Sequence, residues 1–287
     1  MDNDTPPTGP AGPAPSRLGG ARTLLQGSVV GEYLSEVART RLLDLAYTLS
    51  AQAFVAMIPL VLVVTGLFTK GGDDALVARE LTDRFGLAGA ARAAMHTLFQ
   101  TPGAGSGIYW TGLLITVYSA FVLSRRVGRA YALIWDVRAL PVSQQWWRGL
   151  TWIAIQVTML LLASGLRSFG RDHGTALEIV ALVLLMLVWA GAEYAAQRLL
   201  TAGQVARERL LVAAGLVSLG RLGVGAWSAV YLPNTLSRQS EQYGPIGVVF
   251  GLFTWIFASL LILLVMTLLG AVLTRRPVAT WLRPAAA

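Results

Sequence analysis

Long apolar stretches separated by short polar segments dominate this chain. Six of them, at about 45–68, 108–123, 150–166, 179–200, 210–232 and 246–273, are nearly free of charge. Five reach or approach the roughly 17 to 25 residues that a helix needs to cross about 30 Å of hydrocarbon. The second has only 16 residues, so its helix is expected to run on through Arg125, Arg126 and Arg129. Two further segments carry a one-sided pattern. In 31–44, GEYLSEVARTRLLD, the residues Tyr33, Leu34, Val37 and Leu42 fall with Leu45 on one side, as in a helix lying at a membrane interface. In 73–99, Leu76, Val77, Leu81, Phe85, Met95, Leu98 and Phe99 oppose Arg79, Glu80, Asp83, Arg84 and Arg92. This predicts an amphipathic helix over the outer face, with Asp73 as N-cap and a break at Gly86.

The pattern therefore predicts an all-α, polytopic membrane helix bundle. It has six transmembrane helices in a domain over 28–275, an N-terminal interfacial helix and an outer amphipathic helix. Residues 1–27 are rich in proline and glycine, begin acidic and lead into no apolar core, which predicts a disordered cytoplasmic tail and not a signal peptide. Residues 276–287 form a second cytoplasmic tail.

Composition changes the picture in two ways. Charged residues make up 13% against 55% hydrophobic, with a mean hydropathy of +0.59, whereas a soluble domain carries about 25% charged residues. Bilayer is thus the expected solvent. The net charge of +8 comes from arginine, Lys70 being the single lysine, and the alanine and glycine content suggests a GC-rich bacterial genome. With no cysteine, thiolate chemistry and disulfides are excluded.

The arginines also set an orientation. Segments on one side hold Lys70, Arg79, Arg84, Arg92, Arg167, Arg171 and Arg238. The other side holds more than twice as many: Arg17, Arg22, Arg39, Arg41, Arg125, Arg126, Arg129, Arg138, Arg148, Arg198, Arg207, Arg209, Arg275, Arg276 and Arg283. Cytoplasmic loops collect arginine, so both termini are expected in the cytoplasm. Arg125, Arg126 and Arg129 then fall at the inner boundary, near Trp135, Trp146, Trp147 and Trp152. They admit two roles: a boundary anchor, or a guanidinium cluster that holds a phosphate-bearing lipid or substrate.

Soluble-type catalytic signatures are missing. There is no Walker loop, HExxH or GxSxG, and His96 and His173 lack metal-ligand spacing. The stretch GRLGVG at 220–225 has the wrong spacing for a dinucleotide loop and lies in a span, where small residues let helices approach closely. No cofactor is implied, and an enzyme is not expected. Glu193 with Tyr194 is the faint candidate that remains for one.

Polar groups at membrane depth are more informative. Arg221 comes eleven residues into its span, about 16 Å deep, and a lone arginine there costs at least about 2.5 kcal/mol. It needs an anion, backbone carbonyls or a wet cavity. Glu193, about 9 Å from the inner end of its own span, is the nearest candidate partner. The two can form an ion pair that fixes helix register, or line a charged cavity for a transported group. Gln52 and Gln156 can line the same interior or bond between helices. Pro59 inside the first span and Pro245 after Tyr243 and Gly244 mark kinks that serve packing or act as hinges.

The blocks LAYTLSAQAFVAMIPLVLVV (45–64), AYALIWDVR (130–138) and VYLPNTLSRQSEQYGPIGVVFGLFTWIFASLLILLVMTLLGAVLT (230–274) resemble the YihY/virulence-factor-BrkB family of bacterial inner-membrane proteins. Ala46, Tyr47 and Pro59 match in the first block. Tyr231, Tyr243, Gly244, Trp255, Leu269, Gly270 and Ala271 match in the last, and the resemblance extends over about 30–275. It implies six membrane helices with cytoplasmic termini. The chain departs from the pattern at Val272, where an acidic residue is usual, at Ala132, where asparagine is frequent, and at Leu199, Leu200 and Thr201, where a proline is expected. The ribonuclease label once given to such proteins finds no metal ligands or acid/base pair here. The resemblance leans towards the movement of lipids or other envelope components.

The resulting expectation is a transporter-like plasma-membrane protein that handles a lipid or another anionic envelope component. Its expected binding residues are Arg125, Arg126, Arg129, Arg221, Glu193, Gln52 and Gln156, and its hinge or structural positions Pro59, Tyr243, Gly244, Pro245 and Gly270. The expected partners are membrane lipids, anionic phospholipid among them, and envelope proteins, with no nucleic acid. The alternative is a non-catalytic scaffold that recruits envelope partners.

Overall fold

The structure is a computed structural model, and it describes residues 29–69, 106–172 and 175–275. Among these, seven helices follow in order: α1 (Val29–Thr40), α2 (Leu42–Thr69), α3 (Ser106–Trp135), α4 (Val142–Asp172), α5 (Thr175–Leu200), α6 (Arg207–Tyr243) and α7 (Pro245–Arg275). The proposed amphipathic helix at 73–99, both tails, Lys70 and both histidines lie outside the described residues.

Local chemistry explains where the helices stop. Arg41 adopts φ +47°, which ends α1 and starts α2 one residue later, so Leu42 and Leu45 belong to the second helix and not to the interfacial one. At the end of α3, Asp136 sits at φ +53° and the Val137 N–H donates to the Ala132 carbonyl at 2.9 Å, which closes the helix with a left-handed cap. The end of α5 repeats this arrangement: Ala202 has φ +54° and the Gly203 N–H donates to the Arg198 carbonyl at 2.9 Å. Gly244, at φ +61°, ends α6, and Pro245 opens α7 in the first helical turn, where a missing N–H costs nothing.

Three helices, α3, α4 and α6, run well past the charge-free stretches. α3 passes through all three arginines and ends only at Trp135. α6 passes through Pro233 and continues to Tyr243, because a proline inside a helix removes one hydrogen bond without stopping a chain that is held by its neighbours.

Among the described residues, three helices are long and apolar enough to cross a membrane by the combined measure of length and composition: Leu177–Leu200, Arg207–Tyr243 and Ile246–Arg275. α2, α3 and α4 have 28, 30 and 31 residues, which is ample length. Outward faces are apolar: Leu114, Tyr118, Leu187, Val230 and Ile246 are each more than 60% exposed. Water would penalise such faces, whereas lipid solvates them.

α2 packs on α3, α4 on α5, and α6 on α7, while α5 also packs on α6 and α7 on α2. The main core lies at the end of the bundle where α3 and α5 terminate and α6 begins. Leu42, Ala46, Leu49, Tyr131, Ile134, Leu210, Ala213, Leu264 and Leu268 are all buried there. α6 and α7 approach backbone to backbone. A Cβ added at Gly270 would lie 2.6 Å from the Ala213 Cα, and one at Gly220 would lie 2.8 Å from the Ile262 Cγ2.

α1 is fastened to this end by Glu36. Its carboxylate accepts from Arg39 Nε and from Arg275 Nη1, each at 2.7 Å, while Arg275 Nη2 donates to the Ile134 carbonyl at 3.3 Å. Burial pushes the Glu36 carboxyl up, but hydrogen bonds and charge from Arg39 and Arg275 together outweigh it and hold the group below its ordinary value.

Candidate functional site

α3 and α5 run in the same direction, and a constant offset of 62 residues brings two polar pairs into register. The Tyr131 hydroxyl donates to Glu193 Oε1, and Trp135 Nε1 donates to Gln197 Oε1 at 3.1 Å. On each helix the two residues are four apart and so share one face. Gln197 Nε2 closes the ladder by donating to Glu193 Oε1 at 3.1 Å. All four side chains are buried, with Glu193 3% exposed.

α6 adds the cation. α6 begins at the end where α5 finishes, and side chains on a helix lean towards its N-terminus. Arg221 lies about 21 Å along α6, and Glu193 about 10 Å from the end of α5, so Arg221 reaches down towards the carboxylate. Its Nη2 donates to Glu193 Oε2 at 3.2 Å. The pair joins α5 to α6, and Tyr131 joins both to α3. Arg221 is not fully engaged: its Nε is buried without a hydrogen-bond partner among the described residues. The guanidinium therefore keeps donors to offer.

Above this layer lies a cavity of about 700 Å³. Leu123 and Val127 come to it from α3, Trp152 and Gln156 from α4, Trp189 from α5, a run from Arg221 to Pro233 from α6, and Trp255, Ser259, Leu260 and Leu263 from α7. Its walls are mainly apolar and aromatic, with polar groups at Arg221, Gln156, Ser228 and Ser259. Trp255 Nε1 donates to Ser228 Oγ at 2.7 Å and fixes one wall. Pro233 leaves the Ala229 carbonyl without its helical N–H donor, and both residues line the cavity. An arginine beneath tryptophans and aliphatic walls can hold a molecule with an anionic head and an apolar remainder.

Of the residues singled out in the sequence, the structure brings Arg221 and Glu193 together and places Gln156 with Arg221 on the cavity wall. Gln52 is half-buried on α2 and is not part of that wall. The arginine cluster lies elsewhere. Arg125 Nε donates to Gln145 Oε1 at 3.1 Å across to α4, Arg126 is half-buried and Arg129 is exposed. Pro59 lies in α2. Tyr243 is exposed at the end of α6, Gly244 and Pro245 make the turn, and Gly270 is a point of close α6–α7 approach. Tyr131, Trp135 and Gln197 were not expected in the site. The signal for them was present as two polar i, i+4 pairs in apolar surroundings.

A bundle of long helices with apolar outer faces, joined inside an apolar stretch by a buried carboxylate and a half-buried guanidinium, defines an integral membrane protein. The family model for virulence factor BrkB matches residues 33–284, and the chain belongs to that family. No curated protein and no solved structure matches it.

Proposed function

We propose that this protein is a transporter-like, multi-pass component of the bacterial plasma membrane that binds an anionic amphiphile in its central cavity and moves it across or out of that membrane. The observation that carries this reading is Arg221, set at membrane depth in an aromatic cavity of about 700 Å³ with a buried Nε that no described residue satisfies. An arginine in hydrocarbon is costly unless it serves an anion or a wet space. Six helices of 26 to 37 residues support six crossings. The excess of arginine at the end formed by 136–141 and 201–206 supports a cytoplasmic location for that end and for both termini.

In this mechanism Arg126 and Arg129 attract the headgroup at the cytoplasmic face. The Trp135, Gln197, Tyr131 and Glu193 layer closes the cavity on that side, and Arg221 receives the anion above it. The ligand head takes the guanidinium donors that Glu193 leaves, while tryptophans and aliphatic side chains contact its apolar part. The cavity would hold about twenty water-sized volumes at about 30 Å³ each. It thus suits a headgroup with a short apolar portion better than a whole two-chain lipid.

Movement of labelled anionic and zwitterionic phospholipids in proteoliposomes tests this. Arg221→Gln is expected to slow the anionic lipid about tenfold, the effect of losing one charge-assisted contact, and to leave any zwitterionic movement less affected. Equal anionic rates in wild type and variant would refute the cavity as the anion's path.

A further inference from the structure

The closed layer has an arginine on each side of it. Arg221 lies above, and Arg209 lies twelve residues earlier on the same helix, about 18 Å below. The Arg209 guanidinium sits 5.3 Å over the Trp135 ring, the ring whose N–H holds Gln197. Arg209 Nε points at Thr274 Oγ1 at 3.4 Å, and Arg275, the next residue, is bound to the Ile134 carbonyl. Arg209 and Arg275 thus straddle the last turn of α3, and their charges act on one another.

Charge at this mouth is unbalanced. Glu36 is shared by Arg39 and Arg275, and Arg209 has no carboxylate partner among the described residues. Nor do the terminal nitrogens of Arg209 donate to any described residue. The first turn of α6, which carries Arg209, adds unpaired backbone N–H groups and the positive end of a helix dipole.

Building on the cavity reading above, we propose that Arg209 and Arg275 form a second anion site for a phosphate-bearing group at the cytoplasmic mouth, directly beneath the closed layer. A guanidinium binds phosphate through two parallel hydrogen bonds, and Arg209 has that edge uncommitted. An aromatic face behind the arginine fixes its plane and leaves that edge open. The occupant contacts the group stacked on Trp135, so the site adjoins the ladder that separates it from Arg221. The phosphate belongs either to a lipid headgroup of the inner leaflet or to a free phosphate ester.

Native mass spectrometry of the full chain in zwitterionic nanodiscs distinguishes these. One arm titrates short-chain phosphatidylglycerol and the other glycerol phosphate, with wild type, Arg209→Gln, Arg209→Lys and Arg221→Gln compared at matched melting temperature. Wild type is expected to bind two phosphate groups, Arg209→Gln to weaken one of them about tenfold, and Arg221→Gln to weaken the other. Arg209→Lys, which keeps the charge, should fall between. Saturation in the lipid arm alone assigns the site to a headgroup, and saturation in both arms assigns it to a phosphate ester. Unchanged binding in Arg209→Gln in both arms overturns this site and leaves the cavity standing. A loss in Arg209→Gln with no effect of Arg221→Gln overturns the cavity reading and leaves this site standing.

Discussion

At the scale of single residues, Glu193 is the hub of the molecule. It takes hydrogen bonds from Tyr131, Gln197 and Arg221, which stand on three different helices. Removing one partner of a buried pair strands the other charge in surroundings that cannot solvate it. Arg221→Met and Glu193→Met are each expected to destabilise the folded protein by roughly 3 kcal/mol, and the double variant by less than their sum. Reversible unfolding in mixed micelles measures this cycle, and additive losses would show that the 3.2 Å contact carries no coupling. The sequence exposed half of this hub. Arg221 and Glu193 stand out because charge is rare inside apolar stretches, whereas Tyr131 and Trp135 look like ordinary membrane aromatics until α3 is placed beside α5.

At the scale of elements, helix packing depends on where a side chain is absent. Gly270 meets the Ala213 backbone, so a methyl group there forces α6 and α7 apart, while Gly223 has nothing within 4 Å. Gly270→Ala is expected to lower stability by about 1–3 kcal/mol and Gly223→Ala to raise it by about 0.5–1 kcal/mol, because alanine is the better helix former where there is room. Thermal unfolding of the two variants side by side checks this, and equal behaviour would refute the close approach. Helix ends were harder to place from sequence than helix centres. The break at Arg41 and the passage of α6 through Pro233 both go against simple residue preference. Neighbouring helices supply the packing that makes a left-handed arginine and a missing N–H tolerable.

At the scale of the whole molecule, orientation is a matter of summed charge and not of any one contact. Fifteen basic residues in one set of segments against seven in the other support the proposed orientation, with the turn at 201–206 in the cytoplasm and the turn at 243–245 outside. The chain has no cysteine, so single-cysteine variants report cleanly. Gln204→Cys is expected to react with an impermeant maleimide only after the cells are opened, and Gln242→Cys in intact spheroplasts. The reverse pattern would invert the bundle and move the Arg209 mouth to the outer face.

Helicity, residence in a bilayer and the need of Arg221 for a partner are all legible along the chain. These properties follow from local periodicity, from composition and from the cost of one charge, and all three can be read along a single chain. The register of α3 against α5 at an offset of 62 residues, the place of Gln52 off the cavity wall and the mouth that Arg209 shares with Arg275 emerge only once the helices are packed. Those facts depend on which helix faces which, and that choice is made by side-chain shape summed over many distant pairs. A periodic apolar sequence fixes which face of a helix is greasy; in lipid every neighbour is equally greasy, so small residues and a few polar bonds select the partner.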